Sequence, residues 1–211
     1  VETYTAQAES QMARSRSQPL VNIEQVYPVR TQKEAQYGEA NVTVPGFAVL
    51  FVFLTAGVTA QSVVQEKRAG TFRRLLAAPL PRSSLLLGKV IPNFAIAFLQ
   101  VVFIFATAMV ILPLLGLDRL TLGQDPVALV VLTILLALCS TGLGLLIASI
   151  AQTETQSGAL STVVLWVLGA LGGSLFPTFL MSGPMRAISS LTPHAWALTA
   201  YHTLLVYGGG L

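Results

Sequence analysis

The sequence predicts an all-α membrane protein, a polytopic helical bundle. Only 10% of its 211 residues are charged and 54% are hydrophobic, whereas a soluble globular domain carries about 25% charged residues. Its mean hydropathy is +0.71. Four runs without a charged residue each reach the roughly 20 residues that a helix needs to cross a hydrocarbon core of about 30 Å. A short basic segment separates the first two runs, as is typical of a cytoplasmic loop between spans.

The chain begins with a polar segment, residues 1–44, which we interpret as extracytoplasmic. Within it, the weak alternation of Val21, Ile23 and Val26 is typical of one short strand. A loosely ordered tail is the alternative. Residues 45–211 are predicted to form a transmembrane permease domain.

The spans of this domain follow one another with short connections. They are predicted over residues 45–64, 90–117, 126–151 and 157–181. Ala56 with Ala60, and Gly169 with Gly173, place small residues four positions apart, a spacing that permits close approach between membrane helices.

The loop at residues 65–89 orients the chain. It holds six of the twelve Lys and Arg residues against one acid, Glu66, which gives it a net charge of +5. Because short loops rich in Lys and Arg stay on the cytoplasmic side, we place this loop in the cytoplasm. The sequence pI of about 9.3 is also found in nucleic-acid-binding proteins, but here half of the basic residues lie in one loop between spans. We therefore expect no nucleic-acid partner.

A short amphipathic helix is predicted within this loop, over Thr71–Ala78. Gly70 can end the preceding helix, and Thr71 can cap the new one. Helical spacing then places three apolar residues on one face and two arginines on the other; these are Phe72, Leu75 and Leu76, and Arg73 and Arg74. Pro79 and Pro81 follow and end the helix, because proline lacks the backbone donor. We expect the helix to lie at the cytoplasmic membrane surface.

The last segment, residues 182–211, has apolar stretches too short to span a membrane. Its stretch Ala195–Val206 is interpreted as a re-entrant or interfacial helix on the outer side. Trp196 and Tyr201 suit the depth of the lipid headgroups.

The residue order in the loop resembles the signature loop of type-2 ABC exporter permeases, the membrane subunits of drug, lipid and polysaccharide exporters. In that family the loop between the second and third spans reads as an acidic and a basic residue, Gly-Thr, two leucines, Pro, Arg and Leu-Gly-Lys. The matching residues are Glu66, Arg68, Gly70, Thr71, Leu75, Leu76, Pro79, Arg82, Leu87, Gly88 and Lys89. The pattern departs from the family at Lys67 and Ala69.

The resemblance extends over residues 45–210. It includes a glycine–proline exit from the fifth span and a Leu-Thr-Pro turn followed by an aromatic residue; these are Gly173, Phe176 and Pro177, and Leu191, Thr192, Pro193 and Trp196. Because that family has six spans, the resemblance implies that this chain holds the second to the fifth. It also implies that residues 1–44 are the end of the soluble domain that many members carry between their first two spans.

The resemblance further implies a function and its partners. The chain would be the membrane subunit of an exporter in the cell membrane, paired with a second permease subunit as a homodimer or heterodimer and surrounded by lipid. ATP and magnesium would be bound by a separate ABC ATPase subunit. The residues expected to couple the loop to that ATPase are Glu66, Arg68, Gly70, Thr71, Arg73, Arg74, Leu75, Pro79 and Arg82.

Gln100 is the most polar residue deep in a predicted span. A lone glutamine in hydrocarbon commonly bonds to a neighbouring helix, and the alternative is contact with a transported substrate.

Motifs for catalysis are absent from the sequence. Gly88–Lys89 lacks the preceding glycine and the following hydroxyl residue of a phosphate-binding loop. His194 and His202 are widely spaced and lack a third ligand for a metal. We therefore expect no enzyme activity in this chain.

Two other function classes compete with an exporter subunit. An ion-coupled secondary transporter should carry charged residues inside its spans, and the four predicted spans have none. A non-transporting membrane scaffold is compatible with the sequence.

Overall fold

The structure is a computed structural model that describes residues 38–77, 79, 81–175 and 181–207. The chain divides into two compact units, Val1–Arg30 and Thr31–Leu211, and every described residue belongs to the second. Residues 1–37, with the predicted strand, lie outside the described residues, as do Ala78, Phe176 and Pro177.

The described part of the chain is helical, which confirms the predicted fold class. Its helices are α1 (Gly38–Arg68), α2 (Thr71–Ala77), α3 (Arg82–Leu114), α4 (Pro126–Ile150), α5 (Glu154–Leu171), α6 (Gly183–Ser189) and α7 (Pro193–Leu205). Three of them, α1, α3 and α4, are long and apolar enough to cross a membrane.

Helix α1 is the centre of the bundle, because α3, α4, α5 and α7 all pack against it. It contains the first predicted span and extends it at both ends. Ala56 and Ala60, the small residues noted in the sequence, are completely buried. Opposite them, a Cβ added to Gly144 of α4 would lie 2.5 Å from the Ala56 carbonyl oxygen. The hydroxyl of Ser140, one turn earlier, donates to the Val52 carbonyl at 2.6 Å. Backbones of α1 and α4 are therefore in close contact.

Helix α5 is shorter than the predicted fourth span, residues 157–181. It ends at Leu171, and Gly173 follows with a φ of 89°. This left-handed conformation is readily adopted by glycine and terminates helices. Gly169 is buried in α5, where an added Cβ would lie 2.8 Å from the Leu50 side chain. The two glycines therefore have different roles, one in packing and one in ending the helix.

Helix α7 runs alongside the half of α1 that is remote from the loop. At its start, the His194 ring stacks on Phe53 near the midpoint of α1, with centroids 3.9 Å apart. At its end, the Leu205 carbonyl accepts a hydrogen bond from the Asn41 side chain at 3.0 Å. Helix α7 thus begins beside the middle of α1 and ends beside its terminus, and its role as a re-entrant segment stays a prediction.

Asn41 fixes the end of α1 opposite the loop. Its side chain is completely buried. Besides Leu205, it donates to the Thr121 hydroxyl at 2.6 Å and accepts from the Thr121 backbone N–H at 3.0 Å. One amide therefore holds α1, α7 and the turn between α3 and α4 together.

Candidate functional site at the basic loop

Helix α2 lies where the sequence predicts the amphipathic helix of the loop. Gly70, with a φ of 73°, separates it from α1, and the Arg74 backbone N–H donates to the Gly70 carbonyl at 3.2 Å. The Leu75 side chain is half-buried, whereas Thr71 and Arg74 are exposed. The side chains of Phe72, Arg73 and Leu76 lie outside the described residues. The described side chains thus agree with an apolar and a cationic face.

An ion pair joins the two ends of the loop. Lys89 of α3 pairs with Glu66 of α1, and both side chains are partly buried. Glu66 and Lys89 are 23 positions apart along the chain, whereas Lys67 and Arg68 are much nearer in sequence. The turn at Gly70 and the return through α3 bring Lys89 closer.

Lys67 and Arg68 bind the end of another helix. The Lys67 ammonium donates to the Ala148 carbonyl at 2.6 Å, and Arg68 Nε donates to the Gln152 carbonyl at 3.3 Å. These carbonyls lie at the C-terminal end of α4, where unpaired acceptors and the negative end of the helix dipole favour cations. Arg68 therefore stabilises the bundle within the chain.

Other predicted site residues remain on the surface. Arg74, Pro79 and Arg82 are exposed, and neither arginine side chain makes a hydrogen bond or ion pair among the described residues. They form, with Thr71, what we call the cationic surface of the loop. It lies between two long helices and is available to a partner carrying acidic groups.

Polar contacts continue from the loop into the bundle between α1 and α3. The Thr59 hydroxyl donates to Asn93 Oδ1 at 2.9 Å, and the Thr55 hydroxyl donates to Gln100 Oε1 at 2.5 Å. Together with the ion pair of Glu66 and Lys89, these bonds form three successive links, which we call the polar ladder. Gln100 thus has an interhelical partner, and its contact with a substrate remains a prediction.

Asn93 and Thr59 were missed by the sequence analysis. A signal for them exists, since Asn93 and Gln100 are seven residues apart and therefore lie on one face of a helix. Thr55 and Thr59, four residues apart, repeat that pattern on α1.

The start of α5 also lies near the loop. Gln65 Nε2 donates to the Glu154 carboxylate at 3.4 Å, and the Thr153 hydroxyl caps α5 by accepting the Gln156 N–H at 3.0 Å. The ends of α1, α3, α4 and α5 are thus connected around one loop. Among the described residues, no three His, Cys, Asp or Glu side chains gather as a metal site.

The chain is similar to a described protein family and to two curated proteins. The model of a family described as ABC-2 family transporter protein matches residues 2–211. The chain is 27% identical over 163 residues to the linearmycin resistance permease protein LnrN of Bacillus subtilis (strain 168), covering 77% of this chain and 40% of that protein. It is 29% identical over 171 residues to ABC transporter G family member 20 of Dictyostelium discoideum, covering 78% and 21%.

The chain therefore spans less than half the length of either curated relative. No solved structure matches it significantly.

Proposed function

This chain belongs to the ABC-2 family of transporter proteins, and on that premise we propose that it is the membrane-spanning permease subunit of an ATP-driven exporter. A separate ABC ATPase binds and hydrolyses ATP with magnesium. A second permease subunit completes the membrane part. The observation that carries the proposal is the cationic surface of the loop, set between two long helices that the polar ladder connects.

The loop is suited to transmit movement of an ATPase to the spans. Arg74 and Arg82 are exposed and have no partner among the described residues, and acidic groups of an ATPase would attract them. Because Glu66 and Lys89 join the two ends of the loop, α1 and α3 move together when α2 is displaced. Two hydrogen bonds between α1 and α3, Thr59 to Asn93 and Thr55 to Gln100, carry that displacement into the membrane.

The substrate belongs to the class of drugs, lipids or glycans in this proposal. A relative is named for resistance to linearmycin, which favours export of a small toxic compound. The exposed aromatic residues Phe47 and Phe51, stacked with centroids 6.3 Å apart, give α1 an apolar face for a second permease subunit.

The orientation makes a direct prediction. In the full-length protein with Cys139 replaced by serine, a cysteine at Ser83 should react with a membrane-impermeant maleimide only from the cytoplasmic side. A cysteine at Gln124 should react only from outside. Both positions are exposed, so accessibility depends on the side of the membrane alone. Reaction of the Ser83 position from outside would reverse the proposed orientation.

Reconstitution of the full-length protein tests the function. We expect the permease to raise the ATP turnover of its ABC ATPase in liposomes and to require ATP for substrate accumulation. A non-transporting scaffold would change neither the ATP turnover of the ATPase nor the accumulation of substrate. An ion-coupled transporter would accumulate substrate when an ion gradient replaces ATP, and that result would contradict the proposal.

A further inference from the structure

An apolar cavity of about 230 Å³ lies between α3 and α4, in the half of the bundle remote from the loop. Val101 and Phe105 of α3 line its buried side, and Leu129 of α4 and Leu122 of the intervening turn complete the wall. An engineered apolar cavity of about 150 Å³ suffices to bind benzene. The α3–α4 cavity is therefore large enough to bind part of an apolar molecule.

The cavity opens sideways from the bundle. Val102 and Ala106 of α3 and Val130 of α4 line it and are exposed. Thr133 is a polar residue in its wall, and its hydroxyl is engaged with the Leu129 carbonyl and with Tyr201, at 2.8 and 2.9 Å. The opening thus admits a ligand from the surrounding membrane and offers it apolar contacts.

The residues around the opening are typical of a surface that faces lipid. Helix contacts in membranes favour small residues, which allow close approach. Such residues are buried in α3 and α4 at Ala97, Ala108, Ala128, Ala137 and Gly144. The exposed faces instead carry large aliphatic and aromatic residues, among them Leu99, Phe103, Val110, Val127 and Leu135. This distribution favours a lipid chain over another helix as the occupant.

A cation lies in the turn that supplies Leu122. The acids of this turn are engaged, because Asp118 accepts the Glu39 N–H at 3.2 Å and Asp125 accepts the Ala128 N–H at 2.9 Å. Arg119 is exposed, and its side chain has no partner in the described part of the chain. Thr121, bound twice by Asn41, fixes the turn. The formal net charge of the turn is −1, from two acids and one arginine. Because backbone N–H groups hold both acids, the Arg119 guanidinium stays available on the side where lipid phosphates would lie.

From this arrangement we infer that the α3–α4 cavity binds one acyl chain of a membrane phospholipid whose phosphate pairs with Arg119. The lipid belongs to the leaflet remote from the basic loop. The site is separate from the cationic surface and requires no ATPase.

Photo-labelling of the full-length protein tests this site. The probe is phosphatidylglycerol with a diazirine in one acyl chain, in vesicles of phosphatidylglycerol and phosphatidylethanolamine without ATP. Mass spectrometry then gives the ratio of label at Val102 and Ala106 to label at Val110, an exposed residue outside the cavity. We expect this ratio to exceed one clearly.

Two variants should lower the ratio by different routes. Ala106→Phe fills the cavity from its rim. Arg119→Gln removes the cation, and loss of a charge-assisted hydrogen bond should reduce occupancy about tenfold. The matched controls, Leu99→Phe at an exposed position outside the cavity and Arg82→Gln, should leave the ratio unchanged.

Several results would overturn the inference. Equal labelling of the cavity and of Val110 would mean that the lipid there is ordinary boundary lipid. Absence of label from the cavity would mean that another part of the full-length protein covers it. An unchanged ratio in Arg119→Gln, a surface substitution that leaves the core intact, would exclude the phosphate contact.

Discussion

Replacing Arg73 and Arg74 with glutamate is expected to stop ATP-driven export by the full-length transporter while leaving its membrane insertion unchanged. Arg74 is exposed on α2, and helical spacing predicts the same polar face for Arg73. Acidic groups on the ATPase would then meet two carboxylates. Like charges brought together at an interface cost several kcal/mol, and about 1.4 kcal/mol changes an association constant tenfold. We therefore expect at least about tenfold weaker ATPase binding.

The measurement combines copurification of the ATPase with transport in vesicles. Arg73→Lys/Arg74→Lys is the matched control, because it keeps both charges and should retain most of the activity. Membrane insertion should survive the charge reversal, because the positive charge of a loop sets the orientation of the protein. The loop keeps four basic residues, Lys67, Arg68, Arg82 and Lys89. Normal export by a correctly inserted double-glutamate protein would mean that the loop only orients the chain.

Gly144→Leu is expected to cause a large loss of stability of the bundle. A Cβ at this position would lie 2.5 Å from the Ala56 carbonyl oxygen and 2.7 Å from the Thr59 Cβ. Backbone atoms of α1 cannot move aside as a flexible side chain can, so α1 and α4 must separate. Overpacking a core costs about 1 to 3 kcal/mol and occasionally more. Separation would also disturb the Ser140 bond to Val52, so we expect the upper end of that range or beyond.

Gly142 provides the matched control for this substitution. It belongs to the same helix, is exposed, and has no atom within 4 Å of an added Cβ. Gly142→Leu should be tolerated, or slightly stabilising, because glycine is a poor helix former. Thermal unfolding of both variants in detergent gives the comparison. Equal unfolding temperatures would show that α1 and α4 accommodate the side chain.

The same two glycines show what the sequence can and cannot predict. Gly142 and Gly144 lie two residues apart in one span. Gly144 has small residues four positions away on each side, Ser140 and Ala148, a spacing that favours a helix contact but does not name the partner helix. Their difference arises from α1, which is distant along the chain. By contrast, α2 was predicted closely, because Gly70, the prolines and the spacing of Leu75 and Leu76 are local signals.

The polar ladder was only partly predictable from the sequence. Gln100 and Glu66 were singled out from the sequence because polar and charged groups are rare near these spans. Their partners were not predicted, since pairing depends on how α3 rotates against α1. The end of α5 was also predicted too late along the chain, because apolar residues continue beyond Leu171 although Gly173 ends the helix. The hydrophobicity of a segment does not show where a glycine adopts the left-handed backbone conformation that ends a helix.

The buried amide of Asn41 bears on how α1 would move in the proposed coupling. Because Asn41 ties one end of the helix to Thr121 and Leu205, a push at the loop would pivot the helix more readily than slide it along its axis. Helix α1 has 31 residues, or roughly 46 Å at 1.5 Å per residue. A lateral shift of about 4 Å at the loop then corresponds to a rotation of roughly 5° for a rod of that length. In the proposed coupling, the pinned end would make α1 a lever that is driven at the loop and pivots at its opposite end.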